Sequence, residues 1–364
     1  MLPTANESPV RTRKPSDGFE DFMIDLSRLH PYLLFLGDVE SVPYAKTAFG
    51  LRDWAPERCV GEYALPAATV TTGLPRLTPA QASAQGARSL VIGVAAPGGA
   101  ITAAWVPALL EALEAGLDLI SGMHTRLETV PELDSAAARL GRRLINIRQP
   151  PPGLPVGTGV KRPGKRLLTV GTDCALGKKY TALSLTREFK KRGVDADFRA
   201  TGQTGILIAG GGIPIDSVVS DFVAGAAEVL SPAAPADHWD VVEGQGSVFH
   251  PAYAGVSLGL LHGTQPDVLV MCHEIGRDRM VGAPSYAPPG IAEAIELTLV
   301  LARRTNPQVR CAGVSLNTSR LSAAQSSTVL EEHSRALNLP VADPLRAGAE
   351  LDRLVDACLR GSLQ

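Results

Sequence analysis

The stretch LLTVGTDCALGKKYTAL, Leu167 to Leu183, leaves the chain around it little choice of fold. An apolar run, a glycine-bearing loop and an amphipathic run follow one another without a spacer. That order reads as a buried strand, a phosphate-cradling turn and a helix whose N-terminus faces the turn. A strand of this kind is covered on both faces, which implies a parallel sheet between helix layers. Gly171, Thr172, Asp173, Cys174, Ala175, Leu176, Gly177 and Lys178 meet the needs of an anion cradle. The glycines bring the backbone close to a phosphate, the helix N-terminus points free N–H groups at it, and Lys178 adds a point charge.

The spacing is one residue longer than the common G-x-x-x-x-G-K-[ST], and it is similar to the loop of dethiobiotin synthetase and its relatives. The residue after Gly-Lys is Lys179, where a Ser or Thr would give its hydroxyl to magnesium. A second lysine raises positive charge where the metal would bring it, or is solvated on the helix surface. Thr181 stands three residues beyond Lys178, close enough to reach a phosphate without replacing the missing ligand. Lys179, Tyr180 and Thr181 complete the candidate cofactor-binding set on the helix. Such a loop suits a phosphorylated ligand that need not be hydrolysed, for which coenzyme A with its ADP moiety is the first choice. ATP with magnesium is the alternative. DVVEGQGS, Asp240 to Ser247, is a second strand ending in Glu-Gly-x-Gly; in dethiobiotin-synthetase-like folds the acid at such a strand end faces the phosphates and magnesium, and that resemblance implies the same place for Glu243, with a base as the alternative.

The remaining chain reads as α/β in two domains: a Rossmann-like N-terminal domain and a doubly wound, mostly parallel P-loop domain. At 364 residues it exceeds one ordinary core. INIRQPPPGLPVGTGVKRPGKR, with five prolines and five basic residues, is the connector. We expect a leader over 1–30, a first domain over 31–150, a linker over 151–165 and the P-loop domain over 166–364. PYLLFLGD, the run Leu90 to Val94, the run Leu117 to Ser121, and RRLINIR supply the first domain's strands, with a turn at Pro97, Gly98 and Gly99. GIPIDSVVSDFVAGAAEVL reads as one helix, because Ile215, Val218, Val219, Phe222 and Val223 fall on one stripe. A net charge of -2 gives no basic surface for nucleic acid or anionic membrane. No apolar run is long enough to span a bilayer. Five scattered cysteines suit a reducing cytoplasm and no zinc ribbon, so no metal site is expected. Partners are small-molecule substrates and, by expectation, further copies of the chain.

Nearly the whole chain, from about Tyr32 to about Ala347, resembles the former domain-of-unknown-function family that includes D-glutamate N-acetyltransferase. The resemblance rests on YLLFLGD, AKTAFGLRDW, LVIGVAAPGG, GTDCALGKKYTAL, DFRATGQTGILIAGGGIPIDSVVSDFVAGAAE, DHWDVVEGQGSVFHPAYAGVSLGLLHG and QPDVLVMCHE. It implies a Rossmann-like domain followed by a P-loop domain. It also implies transfer of acetyl from acetyl-CoA to the amine of a D-amino acid, D-glutamate being the first candidate. Lys179 departs from the family, which would put an uncharged residue such as methionine there.

For an amine attacking a thioester, a base of pKa near neutrality and donors to the oxyanion are needed. His250, in a loop beyond a strand end, is the first candidate for the base, with Glu243 second or as its orienter. His273 is a weaker candidate, and His262 reads as a packing residue. Cys174, at a helix N-terminus, invites an acyl-cysteine. In FRATGQTG, Arg199 can grip a carboxylate with two N–H groups, and Thr201, Gln203 and Thr204 finish the pocket. Ser247 and Arg277 join the substrate-binding set, the latter for a carboxylate or a 3′-phosphate. Asn317, ending a strand, sits where related P-loop folds read the purine base, which implies an adenine contact; a plain turn asparagine is the alternative. Asp216 reads as a first-turn acid facing a helix dipole.

Overall fold

The structure is a computed structural model that describes residues 26–94 and 99–360. Two parallel sheets stand in sequence, one per half of the chain. The first holds β1 (Tyr32–Gly37), β2 (Cys59–Ala64), β3 (Ser89–Ile92), β4 (Asp118–Ser121) and β5 (Leu144–Asn146), in the order β2-β1-β3-β4-β5. Its helices are α1 (Lys46–Trp54), α2 (Pro79–Ala84), α3 (Val106–Glu114) and α4 (Pro131–Leu140). β1 and β3 are uncharged, mostly apolar runs because both faces are covered, and every residue of each is buried. Residue 31 does not start this domain, since Leu26 and Leu29 lie in its core. Pro97 and Gly98 of the expected turn lie outside the described residues.

The second sheet holds β6 (Lys165–Gly171), β7 (Ala196–Arg199), β8 (Trp239–Val242), β9 (Val268–Glu274), β10 (Arg310–Asn317) and β11 (Val341–Ala342). Its order, β11-β10-β9-β6-β8-β7, is all parallel. Around it run α5 (Lys178–Lys191), α6 (Gln203–Ala209), α7 (Val223–Leu230), α8 (Ala254–Thr264), α9 (Ile291–Ala302), α10 (Ala323–Leu337) and α11 (Ala349–Leu359). The chain leaves β6 toward β7 and β8 on one side and β9 on the other. The order therefore reverses at β6, and the crevice beyond its carboxyl end is where such sheets bind ligands. Among the described residues no helix is long and apolar enough to cross a membrane.

The single helix expected over residues 212–230 is broken. Two short 3-10 turns, Ile215–Ser217 and Ser220–Phe222, precede α7. Val218 and Val219 between them are extended, at ψ 137° and 136°, and Val219 is exposed. Adjacent β-branched residues favour that conformation. The connector is pinned as it crosses α7: a side chain at Gly157 would press on Ala224, and one at Gly225 would overlap Pro155.

The halves share a core. Ile206, Leu207 and Ile208 of α6, with Ala200 and Leu183, belong to the same buried cluster as β1, β3 and α1. Helix α1 thus lies against α6 and over the start of α5, roofing the end of β6 with a piece of the first domain.

Candidate active site

Strand β6 ends at Gly171, and the loop turns on Ala175 and Gly177, at φ +55° and +105°, to start α5. Among the described residues the backbone N–H groups of Ala175 to Tyr180 find no acceptor in the chain. Six consecutive free amides at a helix N-terminus are the cradle that the spacing predicts. Lys178 is buried, and its Nζ donates to the Asp173 carbonyl at 2.7 Å, which folds the ammonium over the loop. Burial lowers its pKa. Thr181 Oγ1 donates to Gly177 O at 3.1 Å and meets Ser315 Oγ at 2.7 Å, which spends the hydroxyl on the protein.

Asp173 braces the loop. Its Oδ1 accepts from Cys174 N at 2.6 Å, and its Oδ2 accepts from Arg277 Nη1 at 2.8 Å and Val281 N at 3.0 Å. Arg277 also donates to Cys174 O and to Glu274. It is therefore a strap across the loop, with its guanidinium already occupied, and does not present itself to a substrate carboxylate. Cys174 is held in the thiol form, because burial raises its pKa against the lowering by Lys178. That opposes the acyl-cysteine role that its position before a helix invites. Thr172 Oγ1 contacts His273 Nδ1 at 2.8 Å, and burial lowers the pKa of His273.

Glu243 stands at the end of β8, beside the loop. Its Oε2 accepts from Thr201 N at 3.0 Å and Gly202 N at 3.1 Å. Burial pushes its pKa up to about 6 although Lys179 and the two amides oppose the rise. A carboxylate held by backbone, near neutrality and beside a phosphate cradle, is equipped as a general base. Thr201 Oγ1 donates to Glu243 O at 2.7 Å and accepts from Gln245 Nε2 at 3.0 Å, so this threonine positions the acid.

His250 does not share that role. Nδ1 accepts from Ala252 N at 3.1 Å, Nε2 meets Val281 O at 2.9 Å, and the ring stacks on Tyr253. A backbone donor at one nitrogen and a carbonyl at the other fix the neutral Nε2–H tautomer and leave no lone pair for a substrate proton. Arg199 is likewise turned away. Its Nε donates to Asp240 Oδ1 at 2.5 Å, one residue into β8, where Ser231 Oγ and His238 Nε2 also meet Asp240. Ser247 Oγ accepts from Phe249 N at 3.2 Å, and Asn317 Oδ1 accepts from Ser319 N at 3.0 Å, so both close turns. His262 on α8 donates from Nε2 to Leu301 O of α9 at 3.1 Å, a packing role.

Gln203 and Thr204 face the first domain. Thr204 Oγ1 meets Thr47 Oγ1 at 3.0 Å, and Gln203 fills the space above Gly122 so closely that a side chain there would overlap its amide. Lys179 crosses to α1, where a Cβ on Gly50 would lie 2.9 Å from its Nζ. Tyr180 follows it, donating to Asp53 Oδ2 at 2.7 Å and packing edge-on against Trp54. Burial lowers the Lys179 pKa to about 8, with Glu243 opposing. Asp216, in the first turn of the 3-10 helix Ile215–Ser217, pairs with Arg148 Nη2 at 3.0 Å in the same seam. The site's first-domain residues, Lys46, Thr47, Gly50 and Asp53, escaped the sequence reading. They lie in AKTAFGLRDW, a stretch that carries the family resemblance but holds no nucleotide motif.

A family model described as a domain of unknown function, P-loop domain (DUF1611_C), matches residues 155–355. Its companion, a Rossmann-like domain (DUF1611_N), matches residues 57–150. The chain belongs to the DUF1611 family. A protein of Tritonibacter scottomollicae named D-glutamate N-acetyltransferase is 48% identical over 327 residues, 90% of this chain and 98% of that one. One of Pseudoalteromonas sp with the same name is 48% identical over 320 residues, 88% and 96% of the two chains. A crystal structure of a DUF1611 family protein from Anabaena variabilis superposes with a TM-score of 0.83 at 31% identity, covering 91% of this chain and 99% of that one.

Proposed function

We propose that this protein is an N-acetyltransferase that moves acetyl from acetyl-CoA to the amino group of a free amino acid, with D-glutamate as the acceptor. The observation that carries the reading is the 48% identity, over about nine-tenths of the chain, to two proteins bearing that activity in their names. The site supports it. The free amides of Ala175 to Tyr180, with Lys178, suit a phosphate of the cofactor's ADP moiety. Pantetheine is long and flexible, so this grip anchors one end while the thioester reaches the acceptor elsewhere along the seam.

Glu243 takes the base's part. It accepts a proton from the acceptor nitrogen as that nitrogen bonds to the thioester carbonyl carbon. The C–S bond then breaks, and the thiolate leaves as a thiol on receiving the proton that Glu243 accepted. Thr201 and Gly202 hold the carboxylate in one orientation through the cycle. The hydroxyl chemistry that a magnesium-dependent phosphoryl transfer would want is poorly supplied: Lys179 replaces the usual Ser or Thr, and Thr181 is bonded to Gly177 and Ser315.

Incubating the purified protein with D-glutamate and acetyl-CoA, without nucleotide, is expected to release free thiol in step with N-acetylated product. Product formed only with ATP and magnesium would replace this reading with the carboxylate ligase or kinase one.

A further inference from the structure

The turn that follows β10 is braced from both sides. Thr318 is buried, and its N and Oγ1 donate to Asp343 Oδ2 at 3.1 and 2.6 Å. Arg346 donates from Nε to Thr318 Oγ1 and from Nη2 to Leu321 O, both at 3.0 Å. Ser319 N donates to Asn317 Oδ1 at 3.0 Å, and Ser322 caps α10 by accepting from Gln325 N at 3.4 Å. From this fixed turn one cationic side chain stands out into solvent. Arg320 is 72% exposed, and its one partner among the described residues is Glu274, Nη2 to Oε1 at 3.2 Å. Glu274 is buried and accepts from Arg277 Nε at 2.9 Å, while Arg277 Nη1 donates to Cys174 O at 3.1 Å inside the cradle. Two side chains therefore separate the Arg320 guanidinium from the phosphate loop, on the carboxyl edge where β6, β9 and β10 all end. Arg277 neutralises Glu274, so that carboxylate aims Arg320 without using up its donors.

We propose that Arg320 is the subsite for the 3′-phosphate of coenzyme A. The inference rests on the acetyl-CoA reading, which puts the cofactor's diphosphate in the cradle. The 3′-phosphate hangs from the same ribose whose 5′-oxygen carries that diphosphate, so its place lies one sugar away from the cradle. Such a dianion stays hydrated on one side and takes a fork of N–H donors on the other, which an exposed guanidinium on a braced turn supplies. Helix α10 begins at Ala323, and its positive end adds to the field there. The same side chain would separate coenzyme A from ADP-bearing ligands with a free 3′-hydroxyl, ATP among them. Arg279, on the loop after β9, is also exposed, but among the described residues no ion pair or hydrogen bond fixes its direction.

The test titrates the full chain calorimetrically with coenzyme A and with 3′-dephospho-coenzyme A, for the unaltered protein, Arg320→Gln, Arg320→Lys and Arg279→Gln. Charge-assisted hydrogen bonds at an exposed site should make the unaltered chain bind coenzyme A about 10-fold more tightly than its dephospho form. Arg320→Gln should erase that ratio by raising Kd for coenzyme A alone. Its unchanged Kd for the dephospho form would show that the cradle is intact. Arg320→Lys should keep part of the ratio, and Arg279→Gln all of it. Equal Kd values for the two ligands in the unaltered chain would overturn the subsite while the acetyl-CoA reading stands. A ratio that survives Arg320→Gln, or that falls with Arg279→Gln, would overturn the assignment to Arg320. Equal weakening of both ligands by Arg320→Gln would make it a brace of the cradle through Glu274, and would refute the subsite as well. If the unaltered protein binds neither ligand, the acetyl-CoA reading fails and the subsite fails with it.

Discussion

Glu243 is the base of the proposed transfer, and its surroundings make its behaviour predictable. Burial raises the pKa to about 6, while two backbone amides keep the ionised form attainable. The sign follows directly: the carboxylate that accepts a proton exists above that pKa and is lost as pH falls through it. We expect kcat for acetyl transfer to fall below about pH 6. Glu243→Gln should lower kcat by roughly 10²- to 10⁴-fold and leave the residual rate without that acidic limb. An unchanged pH profile in the glutamine variant would assign the limb to another group. The residue types of the site were legible in the sequence, but their directions were not. The strand-end motif put Glu243 beside the cradle, as found. His250 and Arg199 read as active because imidazole and guanidinium are versatile, yet their partners, Val281 O, Ala252 N and Asp240, come from the folded chain. Nothing in local spacing encodes which end of β7 the Arg199 side chain follows.

Among the elements, α1 and α6 decide whether the cradle has a roof. They belong to different domains, and their contact depends on Gly50, where a Cβ would lie 2.5 Å from Thr204 Cγ2 and 2.9 Å from Lys179 Nζ. Two effects oppose each other in Gly50→Ala. Helix propensity favours alanine by about 1 kcal/mol. Overpacking costs about 1–3 kcal/mol, and Thr204 cannot rotate away without giving up its bond to Thr47. We expect the steric cost to win, with a lower Tm and a raised KM for the acceptor. Adding Thr204→Ser, which removes the methyl and keeps the hydroxyl, should restore much of both. A stabilised single variant with normal kinetics would mean that the helices separate at little cost. Apolar runs located β1, β3, β4, β5, β6 and β8, and the amphipathic run after the cradle located α5. Periodicity failed over residues 212–230, where the apolar stripe is real but Val218 and Val219 are extended and Asp216 is drawn to Arg148.

For the whole molecule, the division into two halves holds for the sheets and fails for the core. Ile206, Leu207 and Ile208 are at most 9% exposed, and they are buried in the cluster that also holds β1 and α1. Burying three such side chains contributes roughly 5–9 kcal/mol. That is comparable with the net stability of an ordinary domain, about 5–15 kcal/mol. Neither half should therefore be stable by itself, and free hinge motion, the default for two domains, is opposed by an apolar interface. We expect calorimetric unfolding of the intact chain to follow one cooperative transition, with van't Hoff and calorimetric enthalpies in agreement. The second domain expressed as residues 155–364 should expose the α6 stripe and aggregate, or unfold well below the intact chain. Two resolved transitions, with a soluble and folded second domain, would show that the seam is an ordinary domain contact.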